Sequence, residues 1–255
     1  MTLEAPQMIK ANVGRFDGDV LANGSYAYTT DRLSARTANA RLSESIAQAY
    51  DFAGKTVLDI GCGDGAYTVE FPALGVREVV GIDPAAEAIA AATERAEAHG
   101  VAGIARFEVG NVYALDSWLA EGRFDCIVLR GVLHHLPDAA RAIAGLASFK
   151  GTVLVVEPNG ANPVLKLIER YSRYHIEHEE RSFTPGLIRS WLRKAGYEIA
   201  QSRVVNLVPF FCPDWSVPLL QAAERPIERV PFLRDIACGQ SVIVARKPAR
   251  EPASA

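Results

Sequence analysis

The residues whose types and spacing could do chemistry gather first in Val57-Leu58-Asp59-Ile60-Gly61-Cys62-Gly63-Asp64-Gly65, an apolar run that ends in three glycines at alternate positions. A carboxylate inside a run that reads as buried needs a partner or a ligand. Glycines so placed let a ligand approach backbone that a side chain would block. The stretch reads as a nucleotide-type ligand site at a strand-turn-helix junction, the usual place for one in an open parallel sheet. Gly61, Gly63 and Ala66 also satisfy the G-x-G-x-x-G/A fingerprint of dinucleotide enzymes, in which a pyrophosphate sits on the helix N-terminus. Asp64 lies within the turn, where its carboxylate would repel a pyrophosphate, and Asp59 stands just before the glycines. An acidic loop of this kind suits a cationic or zwitterionic ligand.

Further along, a second strand over 78–82 ends in Asp83, at roughly the 20-residue distance expected of an acid that accepts from ribose hydroxyls. That position supports an adenosine ligand without choosing between nicotinamide and sulfonium cofactors. A third strand over 105–112 carries Asn111 near its end, whose side chain can accept a bond from an adenine amino group or turn and donate one. The fourth strand, over 124–129, runs into Arg130-Gly131-Val132-Leu133-His134-His135-Leu136-Pro137-Asp138. His175 and His178, in a charged stretch with Glu179 and Glu180, can each take a proton near neutral pH, which makes them candidate bases. The same imidazoles and carboxylates suit a divalent ion, but a solvated charged loop or a base with its partner accounts for them better, and no metal is expected.

The pattern D-x-G-x-G-x-G at 59–65 resembles motif I of class I S-adenosylmethionine-dependent methyltransferases. The pattern F-D-x-I-x-x-x-x-V-L-H-H-L-P-D at 124–138 resembles the segment after strand four in small-molecule methyltransferases related to the ubiquinone-biosynthesis enzymes. This resemblance implies S-adenosylmethionine as cofactor, a ligand with a positive sulfonium and a positive amino group. It implies a donor site lined by Asp59, Gly61, Cys62, Gly63, Gly65, Asp83, Pro84, Asn111, Val112, Arg130 and Tyr28. Many members have an aspartate where this chain has Asn111. The family's loop after strand four passes close to the donor methyl group, which points to His134. Metal-dependent relatives carry acids at the ends of strands four and five, and this chain has Arg130 and Gly131 where the strand-four acid would be. An N-terminal arm and helix cover the donor in this family, and Tyr26 and Tyr28 could stack there.

The implied reaction is methyl transfer to an oxygen, nitrogen or carbon of a small and partly apolar acceptor. Alignment for in-line displacement carries most of the rate, with His134, His175 or His178 as base. Two alternatives stay open: an NAD(P)-dependent oxidoreductase, favoured by Gly61, Gly63 and Ala66, and a donor-binding protein without catalysis.

Elements that could position these residues follow from strands alternating with helices. The expected fold class is α/β, a doubly wound, mostly parallel seven-stranded sheet of Rossmann-like methyltransferase type. Helices are expected over 31–50, 66–73, 85–99, 113–120 and 138–147, with a valine-rich fifth strand over 152–157. Thr184 and Pro185 open another helix as N-cap and first residue, and Gly196 ends it. Strands over 197–205 and 240–246 follow, the last antiparallel, an edge hairpin that separates this fold from dinucleotide folds. The division expected is an arm and cover helix over 1–50 and a donor-binding domain over 51–247. Acceptor-side elaborations lie within it at 158–183 and 207–237, and a disordered tail follows at 248–255. Phe210, Phe211 and Trp215 could wall an apolar pocket or pack on a partner subunit, so a homodimer is allowed.

Composition sets the outer limits. The chain has 255 residues, 49% of them hydrophobic, enough for one α/β domain. Lys plus Arg at 27 against Asp plus Glu at 30 gives a formal charge of -3 without a dense basic run, which argues against nucleic acid as partner. Four scattered cysteines with no C-x-x-C read as reduced thiols. With no signal-peptide pattern and no apolar stretch of roughly 20 residues, a cytoplasmic location and no membrane span are expected.

Overall fold

The computed structural model describes residues 32–119, 122–171 and 181–248. Seven strands, β1 (Thr56–Ile60), β2 (Glu78–Asp83), β3 (Ala105–Val109), β4 (Cys126–Arg130), β5 (Thr152–Pro158), β6 (Glu198–Val205) and β7 (Gln240–Arg246), form one sheet in the order β3-β2-β1-β4-β5-β7-β6. Strands β1 to β5 run parallel, and β7 lies antiparallel between β5 and β6, as expected from the sequence. The order reverses at β1, which pairs with β2 on one side and β4 on the other. At such a switch point the connections leave on opposite faces, and the crevice between them opens at the carboxyl end of β1. The glycine run sits there.

Eight helices surround the sheet among the described residues: α1 (Leu33–Ala49), α2 (Ala86–Ala98), α3 (Asp116–Leu119), α4 (Ala139–Gly145), α5 (Pro163–Tyr171), α6 (Pro185–Lys194), α7 (Val217–Glu228) and α8 (Pro231–Ala237). All five residues of β1 are buried, as a strand covered on both faces requires. Alternation of side chains then divides the core in two. Leu58, Ile60, Ile127, Leu129, Val153 and Val155 pack with Leu133, Ile143, Ile188 and Leu192 under α4 and α6. Val57, Val79, Val128, Leu154 and Val156 pack on the other face with Leu42 and Ile46 of α1. The same parity sends Asp59, Asp83 and Arg130 toward the α1 face, and Glu157 toward the opposite one.

Two expected helices came out differently. The segment after the glycine run is a 3₁₀ helix over Thr68–Leu74 rather than an α-helix, and Pro72 lies inside it. Proline has no amide hydrogen to give an α-helical bond, so the turn cannot lengthen. The helix expected over 113–120 shrinks to α3. Asn111 accepts from Tyr113 N through Oδ1 at 2.9 Å and from Ala114 N through its carbonyl at 2.9 Å, and this side-chain turn competes with helix before Asp116. By contrast, the Thr184 hydroxyl caps α6 by accepting from Leu187 N, and Gly196 at φ +84° ends the turn that follows.

Helix α1 is held near its middle by Arg41. Buried Arg41 donates to Ser45 Oγ at 2.8 Å and to both carboxylate oxygens of Glu228 on α7, and it lies 3.5 Å from Glu224. Glu224 and Glu228 in turn accept from the backbone amides of Leu207 and Asn206. Among the described residues no helix is long and apolar enough to cross a membrane. Residues 249–255 of the expected tail lie outside the described residues.

Candidate active site

The glycine run folds back onto β2, with Gly61 N and Cys62 N both donating to Ile82 O. Gly61, Gly63 and Gly65 have φ of +74°, +54° and +73°, a region other residues enter only with strain. A Cβ on Gly61 would stand 2.6 Å from Val132 Cγ2, so the turn after β4 presses directly on the glycine loop. Two carboxylates border this loop. Asp59 is 5% exposed and accepts from Thr68 Oγ1 at 2.5 Å. Burial pushes its carboxyl up to about 6; the Thr68 bond and the charge of Arg130 work against the rise, and Asp83 adds to it.

Asp83 stands at the tip of β2, its Oδ2 accepting from Gly63 N at 3.1 Å and its Oδ1 from Ala85 N at 2.9 Å. These two bonds fix the orientation of the carboxylate at the strand tip. Asp64 behaves differently from the sequence expectation. Rather than facing the cleft, it is buried and paired with Arg95 at 2.8 Å, while Arg95 Nε donates to its carbonyl at 3.0 Å. Its charge is neutralised within the fold, so repulsion of a pyrophosphate by Asp64 is not the discriminator. The segment that follows is 3₁₀ rather than the α-helix of the dinucleotide fingerprint.

Burial, then Asp83 and Asp59, raise the Cys62 thiol well above its ordinary value, which keeps it neutral. Pro84 is exposed beyond β2, and Val112 belongs to the core beside Leu133 and Ile143. The Asn111 oxygen is engaged by Tyr113 N, so a bond from adenine to that oxygen would have to use its second lone pair. Arg130 lies over the Tyr67 ring at 3.6 Å and donates to Ser43 Oγ at 3.0 Å and to Asn39 O and Oδ1 at 3.3 Å, which ties α1 to the tip of β4. Burial pulls its guanidinium down from its ordinary value while Tyr67, Glu70 and Asp59 hold it up.

On the other face of the sheet tip, His134 belongs to a 3₁₀ turn over Leu133–His135 and is 9% exposed. Its Nδ1 lies 2.8 Å from Glu157 Oε2. Glu157 Oε1 accepts from Val132 N and Leu133 N, each at 2.7 Å, and Oε2 also accepts from His134 N at 3.3 Å. The chain returns beside this turn at 181–183, where Arg181 N donates to His134 O at 3.2 Å and Gly160 N donates to Phe183 O at 3.0 Å. Tyr26, Tyr28, His175, His178, Glu179 and Glu180 lie outside the described residues. Among the described residues there is no group of three or more side chains that could hold a metal ion.

Sequence reasoning missed Glu157, Thr68 and Arg95. The signal for Glu157 was a charge closing a valine-rich strand, and for Thr68 a hydroxyl at the start of the segment after the glycines. Arg95 gives no local signal, because its partner is 31 residues away.

A family model described as "Methyltransferase domain" matches residues 32–202. This chain belongs to that family, the class I S-adenosylmethionine-dependent methyltransferases. The ubiquinone biosynthesis O-methyltransferase of Aromatoleum aromaticum is 30% identical over 58% of this chain and 66% of its own length. The ribosomal protein L11 methyltransferase of Thiobacillus denitrificans is 29% identical over 60% of this chain and 45% of its own. The chain thus spans less than two thirds of the length of these curated relatives. Among solved structures, the [4+2]-cyclase SpnF superposes with a TM-score of 0.65 at 21% identity, covering 93% of each chain, a likeness of fold. The family's donor, S-adenosylmethionine, is the cofactor of this methyltransferase.

Proposed function

We propose that this methyltransferase moves a methyl group from S-adenosylmethionine to an oxygen, nitrogen or carbon of a small-molecule acceptor, with His134 as the base that takes the acceptor's proton. The observation that carries the reading is the pairing of a buried imidazole with Glu157 on the same turn that presses on Gly61. A base so placed stands between the donor loop and the returning segment 181–183. The name of the ubiquinone biosynthesis relative supports an oxygen acceptor, and that of the L11 relative shows how far acceptors range among similar chains.

The donor set fits the cofactor's charges. Asp59 and Asp83 supply two carboxylates beside the glycine amides, and Arg130 supplies one guanidinium on the same face. A ligand with two positive groups, one carboxylate and a ribose diol matches this arrangement. Asp83 would accept from the diol, Asp59 would face the positive end, and Arg130 would bind the carboxylate. When bound, the cofactor supplies an electrophilic methyl group and its own leaving group. The protein's share is orientation, exclusion of water and proton removal.

Incubation with methyl-labelled S-adenosylmethionine and a panel of phenols, amines and carbon acids tests this. Label should pass to at least one acceptor, and His134→Ala should lower turnover about 10²-fold or more while leaving donor affinity intact. Equal turnover in His134→Ala removes the base. Absence of binding heat with both the donor and S-adenosylhomocysteine removes the whole reading.

A further inference from the structure

We propose that Glu157 is the positioning residue of this site, fixing His134 in the Nδ1–H form so that Nε2 is the nitrogen that accepts the proton; this rests on His134 being the base. The carboxylate is 0% exposed, at the end of a strand whose inner residues are aliphatic. Burying a charge there is unfavourable unless the surroundings compensate it. Among the described residues its ion-pair partner is His134, and all four of its hydrogen bonds go to three consecutive residues, Val132, Leu133 and His134.

The two oxygens do different things. Oε1 serves as a clamp, collecting the amides of Val132 and Leu133 at the opening of the 3₁₀ turn. A glutamine carbonyl would perform that task equally well, without the desolvation of a charge. Oε2 is the atom that calls for an acid. At 2.8 Å from Nδ1 it accepts a hydrogen bond from Nδ1–H, which leaves the lone pair of the neutral ring on Nε2. As a proton arrives at Nε2, the resulting imidazolium stands against a carboxylate. Glutamine in the same place would turn its NH₂ toward Nδ1, favour the Nε2–H form and block Nε2 as acceptor.

The clamp also sets where the imidazole sits. Val132, held by Oε1, is the side chain that a Cβ on Gly61 would strike, and the His134 ring edge at Cε1 lies 3.7 Å from the Cβ position of Gly131. One carboxylate therefore fixes the ring's protonation, its rotation and its distance from the donor loop. Among the described residues, the titratable groups set against the ring are Glu157 from β5 and His135 of the same turn, whose ring is tilted at 42° with its centroid 3.8 Å away, while Arg181 on the returning segment meets His134 through its backbone amide.

Nitrogen NMR of the full chain labelled with ¹⁵N-histidine, needing no acceptor, tests the assignment, with His134→Ala identifying the signals. Neutral His134 should be the Nδ1–H form, and Glu157→Gln should convert it to Nε2–H and lower its titration midpoint. An Nε2–H ring in the unmodified chain overturns the proposal, even where E157Q does not fold. In kinetics, Glu157→Gln should reduce kcat about 10²-fold or more at unchanged donor Kd and move the acid limb of the pH profile to lower pH. In the His134→Ala background the same substitution should bring no further loss. A full additional loss there means a clamp alone. If His134→Ala turns over normally while the NMR result holds, the base reading fails and the positioning of the ring does not.

Discussion

At the scale of single residues, the proposed donor site rests on two acids whose surroundings differ. Asp83 is oriented by two backbone amides, so Asp83→Ala should cost the ribose two charge-assisted hydrogen bonds of about 1.5 to 3 kcal/mol each. Calorimetry with S-adenosylhomocysteine should show affinity reduced at least about 10²-fold, and unchanged affinity would take Asp83 out of the site. Asp59 gives a pH signature instead. Its carboxyl is raised from 3.8 to about 6, so the folded chain holds this proton more tightly than the unfolded one. Its contribution to stability is greatest in acid and is lost as pH rises from about 4 to 6, by on the order of 3 kcal/mol. A cationic ligand beside the carboxylate works the other way, favouring the ionised form. Donor affinity should therefore weaken as pH falls from 7 to 5, and Asp59→Asn should flatten that slope; a slope that persists in the variant assigns it to another group. Both acids were legible in the sequence, because each adjoins a strand end and a glycine. Glu157 was not, since its meaning depends on a turn 23 to 25 residues upstream, and neither was the inward turn of Asp64 toward Arg95.

Elements were legible where a periodic apolar pattern agreed with the local chemistry, and not where a side chain or a proline intervened. The valine-rich strands and the Thr184 cap follow the sequence closely, whereas Pro72 and the Asn111 turn convert expected α-helix into 3₁₀ and loop. The glycine loop shows how backbone and packing combine, and Gly54 supplies the comparison. Both Gly54 and Gly61 have positive φ, +69° and +74°, but a Cβ at Gly54 would meet nothing within 4 Å while one at Gly61 would meet Val132 at 2.6 Å. Gly54→Ala should cost only the backbone term, about 1 to 2 kcal/mol, with donor binding intact. Gly61→Ala should cost more and abolish donor binding, because the loop or the Val132 turn must move. Adding Val132→Ala should recover the packing share of the Gly61→Ala loss and leave the backbone share. Denaturant melts of the three variants beside the unsubstituted chain measure this; equal losses at Gly54 and Gly61 would mean that the contact with Val132 relaxes without penalty.

For the whole molecule, the sheet order follows from right-handed strand-helix-strand connections and the antiparallel final strand, all of which the alternation of patterns in the sequence implied. The attachment of the N-terminal helix to the β6–β7 elaboration was not implied, since Arg41 and Glu228 are 187 residues apart and neither stands in a motif. This attachment bears on the site. Helix α1 meets Glu224 and Glu228 through Arg41 at one contact and the tip of β4 through Asn39, Ser43 and Arg130 at another. Arg41→Met keeps the aliphatic bulk but leaves two buried carboxylates without their cation, a change of about 3 to 5 kcal/mol. Burial already holds the Glu224 carboxyl above its ordinary value, with Arg41 among the charges opposing that rise. Without Arg41 the folded-state value of Glu224 rises further, so the loss should be largest at neutral pH, where Glu224 must ionise, and should shrink in acid as it is protonated. Because the same helix supplies Arg130's partners, donor affinity should fall with stability. Calorimetric titration and thermal melts at pH 5 and pH 7 test the coupling. Full donor affinity in a destabilised Arg41→Met would show that the two attachments of α1 act independently.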